Sequence, residues 1–175
     1  MSFIRDIGND SLPITPGTEQ IWKDLQEVCD PEIPVISVVE LGVVRNIEKT
    51  PGGITVTITP TYSGCPAMKV MEDDIAAKLE EKGYKNVTVK TVLSPAWTTD
   101  WITEAAKEKL RAYGIAPPPQ STADKNALLG RPKEVKCPRC GSTHTEMISQ
   151  FGSTACKALW RCTECMEPFD YFKCI

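Results

Sequence analysis

Five cysteines carry most of the chemistry that this sequence offers. Cys137-x2-Cys140 and Cys162-x2-Cys165 form two knuckles with 21 residues between the pairs. Each knuckle offers two thiolates while its backbone turns, so together they supply the tetrahedral sulfur set of a zinc ribbon. The same sulfurs suit an iron site or a redox dithiol. His144, the only histidine, follows the first knuckle and reads as an exposed loop residue rather than as a replacement for one of the cysteines. The fifth cysteine, Cys65, stands alone in "TYSGCPAMKVMEDDI" between Gly64 and Pro66. Gly64 frees the turn, Cys65 takes the cap, and Pro66 fits the first helical position, where its missing N–H costs nothing. A helix N-terminus favours thiolate over thiol, which would make Cys65 a soft metal ligand. Read blandly, it is a small buried hydrophobe. Asp30 and Glu32, in "DPEIP", read as turn carboxylates or as part of a polar site.

These residues need elements to position them. Ile21, Trp22, Leu25, Val28 and Cys29 share one helical face, in a helix that "DPEIP" is expected to end, because Pro31 disfavours helix at the residue before it. "VVRNIE" and "ITVTIT" flank the turn "KTPGG", and the alternation of Ile54, Val56 and Ile58 with threonines predicts a half-buried hairpin strand leading to Cys65. The next helix should turn Ala67, Val70, Met71, Ile75 and Leu79 inward and end near Gly83. "VTVKTVL" then supplies a third strand, parallel to the second across the helical crossover. A last helix carries Trp101, Ile102, Ala105, Ala106, Leu110 and Tyr113 and closes at Gly114. The expected class is α/β (α+β): a small mixed sheet of about three strands covered by helices, plus a C-terminal β zinc ribbon.

The organisation follows from composition: a domain over 1–115, a proline-rich linker over 116–134, and the ribbon over 135–175. About forty residues are too few for an independent core, so the ribbon should need its metal to fold. Within it, Cys162 pairing with Pro168 would set Trp160 against Asp170, Ala158 against Phe172, and Cys156 against Cys174.

Composition narrows the function classes. The chain is 41% hydrophobic and 25% charged, with a net charge of −3. Residues 133–175 hold six Lys or Arg against five Asp or Glu, giving no basic face for nucleic acid. The opening "MSFIRDIGND" has no apolar run, and "VISVVELGVV" is short and interrupted, so a cytosolic protein without a membrane partner is expected. Reduced thiols follow, and with them metal or thiol chemistry rather than disulfides.

In combination, D-P-E-x-P, then L-G-x-V, then G-C-P resembles the small iron–sulfur assembly domain of cytosolic cluster-targeting proteins and bacterial assembly factors. The match spans most of 18–114. The ribbon, with "GSTACKALWRC" and "EPFDYFKC", resembles the branch of that family found in phenylacetate degradation, whose members count as subunits of the phenylacetyl-CoA epoxidase. The resemblance implies an accessory protein, not an enzyme. It would assist assembly or insertion of an iron–sulfur cluster, with the epoxidase reductase and oxygenase subunits and the assembly machinery as partners. It also implies a site of Cys65, Asp30, Glu32 and Thr61 that handles an iron ion or cluster in transit, beside the structural zinc. Tyr62 departs from relatives that carry a second threonine there. The chain has no G-x-x-x-x-G-K-[ST] run, hence no phosphate-cradling loop. Nor has it the Glu-x-x-His ligands of a di-iron oxygenase.

Overall fold

The computed structural model describes residues 14–118 and 134–173. Its central feature is the predicted hairpin of β3 (Val44–Thr50) and β4 (Gly53–Ile58), paired antiparallel with Ile47 opposite Val56. The turn is tighter than "KTPGG" suggests: Thr50 pairs with Gly53, leaving only Pro51 and Gly52 between strands. Proline with its φ preset and glycine after it favour such a reversal. Ile54, Val56 and Ile58 are buried and the alternate positions half-exposed, as the pattern requires.

Helix α2 (Ala67–Glu81) crosses to β5 (Val87–Thr91), which runs parallel to β4 from Ile54–Val87 to Ile58–Thr91. The sheet order is β3-β4-β5. α2 buries Ala67, Met68, Met71, Ile75 and Leu79. Val70, expected inward, is exposed, because at 100° per residue it falls roughly 130° from the centre of that stripe.

The chain before the hairpin departs from expectation. Helix α1 spans Glu19–Asp24, followed by a 3-10 turn at Leu25–Glu27, and Cys29 lies outside both. Instead Cys29–Asp30 forms β1, paired with β2 (Ile33–Ser37), and the Cys29 side chain is exposed. Asp30 causes this: its Oδ1 accepts the backbone N–H of Glu32 at 2.7 Å and of Ile33 at 2.9 Å. "DPEIP" is thus an Asp-closed turn between two strands rather than a helix stop. Ile21, Trp22, Leu25 and Val28 are buried as predicted.

After β5, Thr99–Trp101 is a 3-10 turn and α3 begins only at Glu104, running to Tyr113. The Trp101 ring is covered by the Arg45 guanidinium, 3.4 Å from its centroid. Ala106 and Leu110 are buried, while Ala105 and Tyr113 face solvent. Gly114 closes the helix at φ +96°, as predicted.

The ribbon is a four-stranded sheet ordered β6-β9-β8-β7, from Ile115–Ala116, Pro168–Phe172, Lys157–Cys162 and Thr145–Ser149. Strand β6 pairs parallel with β9, so residue 116, expected to open the linker, belongs to the sheet. Ala116, Val135, Cys137, Ala158, Trp160, Cys162, Phe169 and Tyr171 form its core. The β8–β9 register is one residue from the expected one: Trp160 meets Phe169, and Ala158 meets Tyr171. The Cys162 N–H bonds the Glu167 carbonyl, so Arg161 and not Cys162 stands opposite Pro168. Cys156 accordingly receives the Lys173 N–H on its carbonyl at 3.0 Å. Cys174, its expected neighbour, lies outside the described residues.

The described chain forms two compact units. One runs to Trp97 and includes Trp101–Thr103; the other takes Thr98–Asp100 and everything described from Glu104 on. α3 and β6 fall in the second, whereas the sequence reading keeps residues up to 115 with the first. Among the described residues no helix is long and apolar enough to cross a membrane.

Candidate metal centre and thiol site

The two knuckles deliver their sulfurs to one point. In the first, the Gly141 N–H bonds the Cys137 carbonyl and the Cys137 N–H bonds the Ser142 carbonyl, each at 2.9 Å, which folds Cys137 and Cys140 around a tight loop. In the second, Cys162 ends β8 and Cys165 lies in the turn before β9. An ion pair from Arg139 Nη1 to Glu167 Oε2, 2.7 Å, ties one knuckle to the other. Cys137 Sγ lies 3.7 Å from Cys165 Sγ, Cys140 Sγ lies 3.6 Å from Cys162 Sγ, and all four sulfurs fall within 4.8 Å of one another. A tetrahedral zinc with bonds of about 2.3 Å sets its sulfurs about 3.8 Å apart, so the arrangement fits structural zinc.

Electrostatics point the same way. Backbone N–H groups of Cys165 and Glu164 help bring the Cys162 thiol down to about 7. Cys140, despite the Ser142 N–H, is pushed up to about 12 by burial and by its hydrogen bonds to the other three sulfurs. One thiolate therefore forms at its neighbours' expense, and a divalent cation held by Cys137, Cys140, Cys162 and Cys165 would supply the charge that lets all four ionise. His144 is exposed and pairs its Nδ1 with Glu164 Oε1 at 2.5 Å, outside the sulfur set.

The other candidate site lies in the first unit. Thr61 and Cys65 occupy the segment from β4 to α2, which leaves the C-terminal end of the parallel pair, where the Val92 N–H bonds the Ile58 carbonyl. α/β sheets gather their binding residues at that end. Gly64 at φ +86° turns the chain, the Cys65 N–H bonds the Tyr62 carbonyl, and the Cys65 carbonyl accepts from Met68. The cap is displaced by one residue from expectation. Pro66 occupies it with already helical dihedrals, and Cys65 immediately precedes it. Cys65 is partly exposed, so it is not the fully packed hydrophobe of the bland reading, while Thr61 is buried.

Asp30 and Glu32 share the β1–β2 turn, Asp30 buried and Glu32 half-exposed. Strand β1 packs against α2. Among the described residues the ribbon holds the one group of three or more Cys, His, Asp or Glu whose donor atoms converge, so Cys65, Asp30 and Glu32 do not make a second preformed ligand set. Sequence reasoning passed over Thr59, two residues before Thr61. Its hydroxyl is buried without a hydrogen-bond partner among the described residues. The only trace of this in the sequence is the alternation of threonines along β4, which predicts half-exposed positions rather than a buried one.

Comparison with known proteins matches both units. Residues 18–93 fit the model of the iron-sulfur cluster assembly protein family, and 121–173 that of the PaaD zinc beta ribbon domain. The chain is 51% identical over 160 residues to an Escherichia coli (strain K12) protein provisionally named as a subunit of 1,2-phenylacetyl-CoA epoxidase, covering 91% of this chain and 94% of that one. It is 38% identical over 94 residues to the Fe-S protein maturation auxiliary factor of Porphyromonas gingivalis (strain ATCC BAA-308 / W83), covering 53% and 89%. A crystal structure of a domain of unknown function, DUF59, from Bacillus anthracis superposes with a TM-score of 0.49 at 26% identity, covering 52% and 88%. With residues 18–93 of the iron-sulfur cluster assembly type, a PaaD zinc beta ribbon after them, and identity at half of the aligned positions along nearly its whole length, the chain belongs to the same family as that Escherichia coli protein.

Proposed function

We propose that this chain is a non-catalytic maturation factor that delivers or inserts an iron–sulfur cluster into the phenylacetyl-CoA epoxidase system, with the iron–sulfur reductase as its client. The observation that carries this reading is the partly exposed Cys65 just ahead of α2, in a domain of the iron-sulfur cluster assembly type. A single accessible thiol without a converging ligand set among the described residues suits a cargo that is held briefly and passed on. In this reading Cys65 is the transient ligand, Thr61, Asp30 and Glu32 shape the surroundings, and the oxygenase subunits and assembly machinery are further partners. The ribbon zinc is resident and structural, since four sulfurs leave it no open position. The chain would act in the cytoplasm, where thiols stay reduced.

A second reading, a structural component held stably in the epoxidase complex, draws on the name of the Escherichia coli relative, which counts that protein among the epoxidase subunits. Iron and acid-labile sulfide, measured in reductase purified from cells with and without this protein, separate the two. Loss of cluster without the protein supports maturation. Equal cluster content, with the protein co-purifying in fixed ratio with the oxygenase, supports the structural reading.

A further inference from the structure

Lys173 carries an amine into the interior of the ribbon: it is 9% exposed, and among the described residues it forms no ion pair with a carboxylate. Its Nζ donates to the Gln150 carbonyl at 3.1 Å and lies 4.8 Å from the centre of the Phe151 ring. Burial holds the amine below the usual lysine range, and the one group that draws it back up is the Cys156 sulfur. The backbone places the two residues together. The Lys173 N–H bonds the Cys156 carbonyl at 3.0 Å, and the register that pairs Lys157 with Phe172 continues to Cys156 opposite Lys173. Directly opposed residues turn their side chains to one face with Cβ atoms about 5 Å apart, within the reach of a lysine. Cys156 carries a free thiol, is 5% exposed, and has its Sγ 3.0 Å from the Thr154 hydroxyl. Lys157, next in sequence, is also buried, but successive residues of a strand face opposite sides.

We infer that Cys156 and Lys173 form a site of reversible oxidative cross-linking, in which hydrogen peroxide joins the two side chains through a sulfur–nitrogen bond. In the first step the Cys156 thiol attacks one peroxide oxygen, the O–O bond breaks, the sulfur becomes a sulfenic acid and the peroxide leaves as water. In the second the neutral Lys173 amine attacks that sulfur. The S–N bond forms, the S–O bond breaks, and the hydroxyl departs with one amine proton as a second water, leaving a sulfenamide. The amine is suited to this because burial favours its neutral, nucleophilic form. Its fixed place across the strand pair gives it an advantage over any thiol that must diffuse in. Two equivalents of an added thiol reverse the bond: the first frees the amine as a mixed disulfide forms, and the second restores Cys156. The cross-link would staple the start of β8 to the end of β9 and involves none of the four zinc ligands. It is independent of Cys65 and stands whether or not that thiol delivers a cluster.

The test exposes the zinc-loaded full chain briefly to a small molar excess of hydrogen peroxide, denatures it, blocks the remaining thiols with iodoacetamide and maps the tryptic peptides by mass spectrometry. The expected result is a species in which residues 140–157 and 162–175 are linked, Cys156 is unlabelled, trypsin has not cut after Lys173, and the mass is lower by two hydrogens than the sum of the two peptides. Dithiothreitol added before the iodoacetamide should restore the separate peptides. The link should persist in Cys174→Ser, which removes the disulfide that would weigh the same, and in Lys157→Arg. It should vanish in Lys173→Arg, which keeps the charge and loses the nucleophile. Mapping of the unaltered chain already names the joined residues, so the assignment is tested even where a variant does not fold. Absence of the linked species, a link lost in a folded Cys174→Ser chain, or a link kept in Lys173→Arg would each overturn it.

Discussion

Cys140 Sγ and Cys162 Sγ, from different knuckles and 22 positions apart in sequence, stand 3.6 Å from each other. That separation is the edge of a zinc–sulfur tetrahedron. Purified protein should therefore carry about one zinc per chain by elemental analysis. Cys140→Ser should release it and collapse the amide dispersion of the ribbon, because the core around Trp160 and Tyr171 is small and folding there is metal binding. Resonances of the β3-β4-β5 sheet should persist, since it belongs to the other compact unit. A zinc-free protein with an ordered ribbon would refute this.

The Tyr84 hydroxyl donates to Asp24 Oδ2 at 2.9 Å, tying the segment that follows α2 to α1. Burial, and then the hydrogen bond to the Asp24 carboxylate, push the Tyr84 phenol from 10.0 up to about 12. The unfolded chain releases this proton near pH 10, while the folded chain keeps it for about two further units. The contribution to stability is complete below pH 10 and fades as pH rises from about 10 to about 12. Tyr84→Phe should cost about 1–2 kcal/mol at neutral pH and flatten the fall in Tm across that window. An unchanged alkaline limb in the variant would count against the assignment.

Gly42 has φ +75°, and a Cβ placed there would lie 2.6 Å from Trp101 Cβ and 2.8 Å from the Trp101 carbonyl oxygen. Gly42→Ala should thus combine left-handed strain with displacement of the indole that supports Arg45, costing about 2–4 kcal/mol. Thermal unfolding checks it: a Tm within about 2 °C of the parent would contradict the packing described.

How far the sequence alone reveals this molecule depends on the range of the interaction involved. The β3–β4 hairpin, α2 and β5 were legible because alternation in "ITVTIT" and the four-residue spacing of Ala67, Met71, Ile75 and Leu79 are local signals. The four sulfurs were legible because knuckle spacing is a local consequence of metal geometry. "DPEIP" misled because a proline turn after apolar periodicity looks alike whether it ends a helix or joins two strands, and only the Asp30 hydrogen bonds decide. The β8–β9 register slipped because the backbone closure of the second knuckle, Cys162 to Glu167, is not encoded by any single residue type. Strand β6 is two residues long and pairs with a strand more than fifty positions away, so no window of sequence contains its cause. At the thiol site, "GCP" marked Cys65, whereas the buried hydroxyl of Thr59, unpartnered among the described residues, emerges only from packing.

The central claim is that the Cys65 thiol passes a cluster to the reductase, and Cys65→Ser tests it most directly. Serine keeps the size and polarity of the position ahead of α2 and removes the soft ligand. The variant should fold and hold zinc as the parent does, yet reductase purified from cells that carry it should be as poor in iron and acid-labile sulfide as reductase from cells lacking the protein, and those cells should fail to grow on phenylacetate. Full cluster content in that reductase, made beside a folded Cys65→Ser protein, would contradict the account.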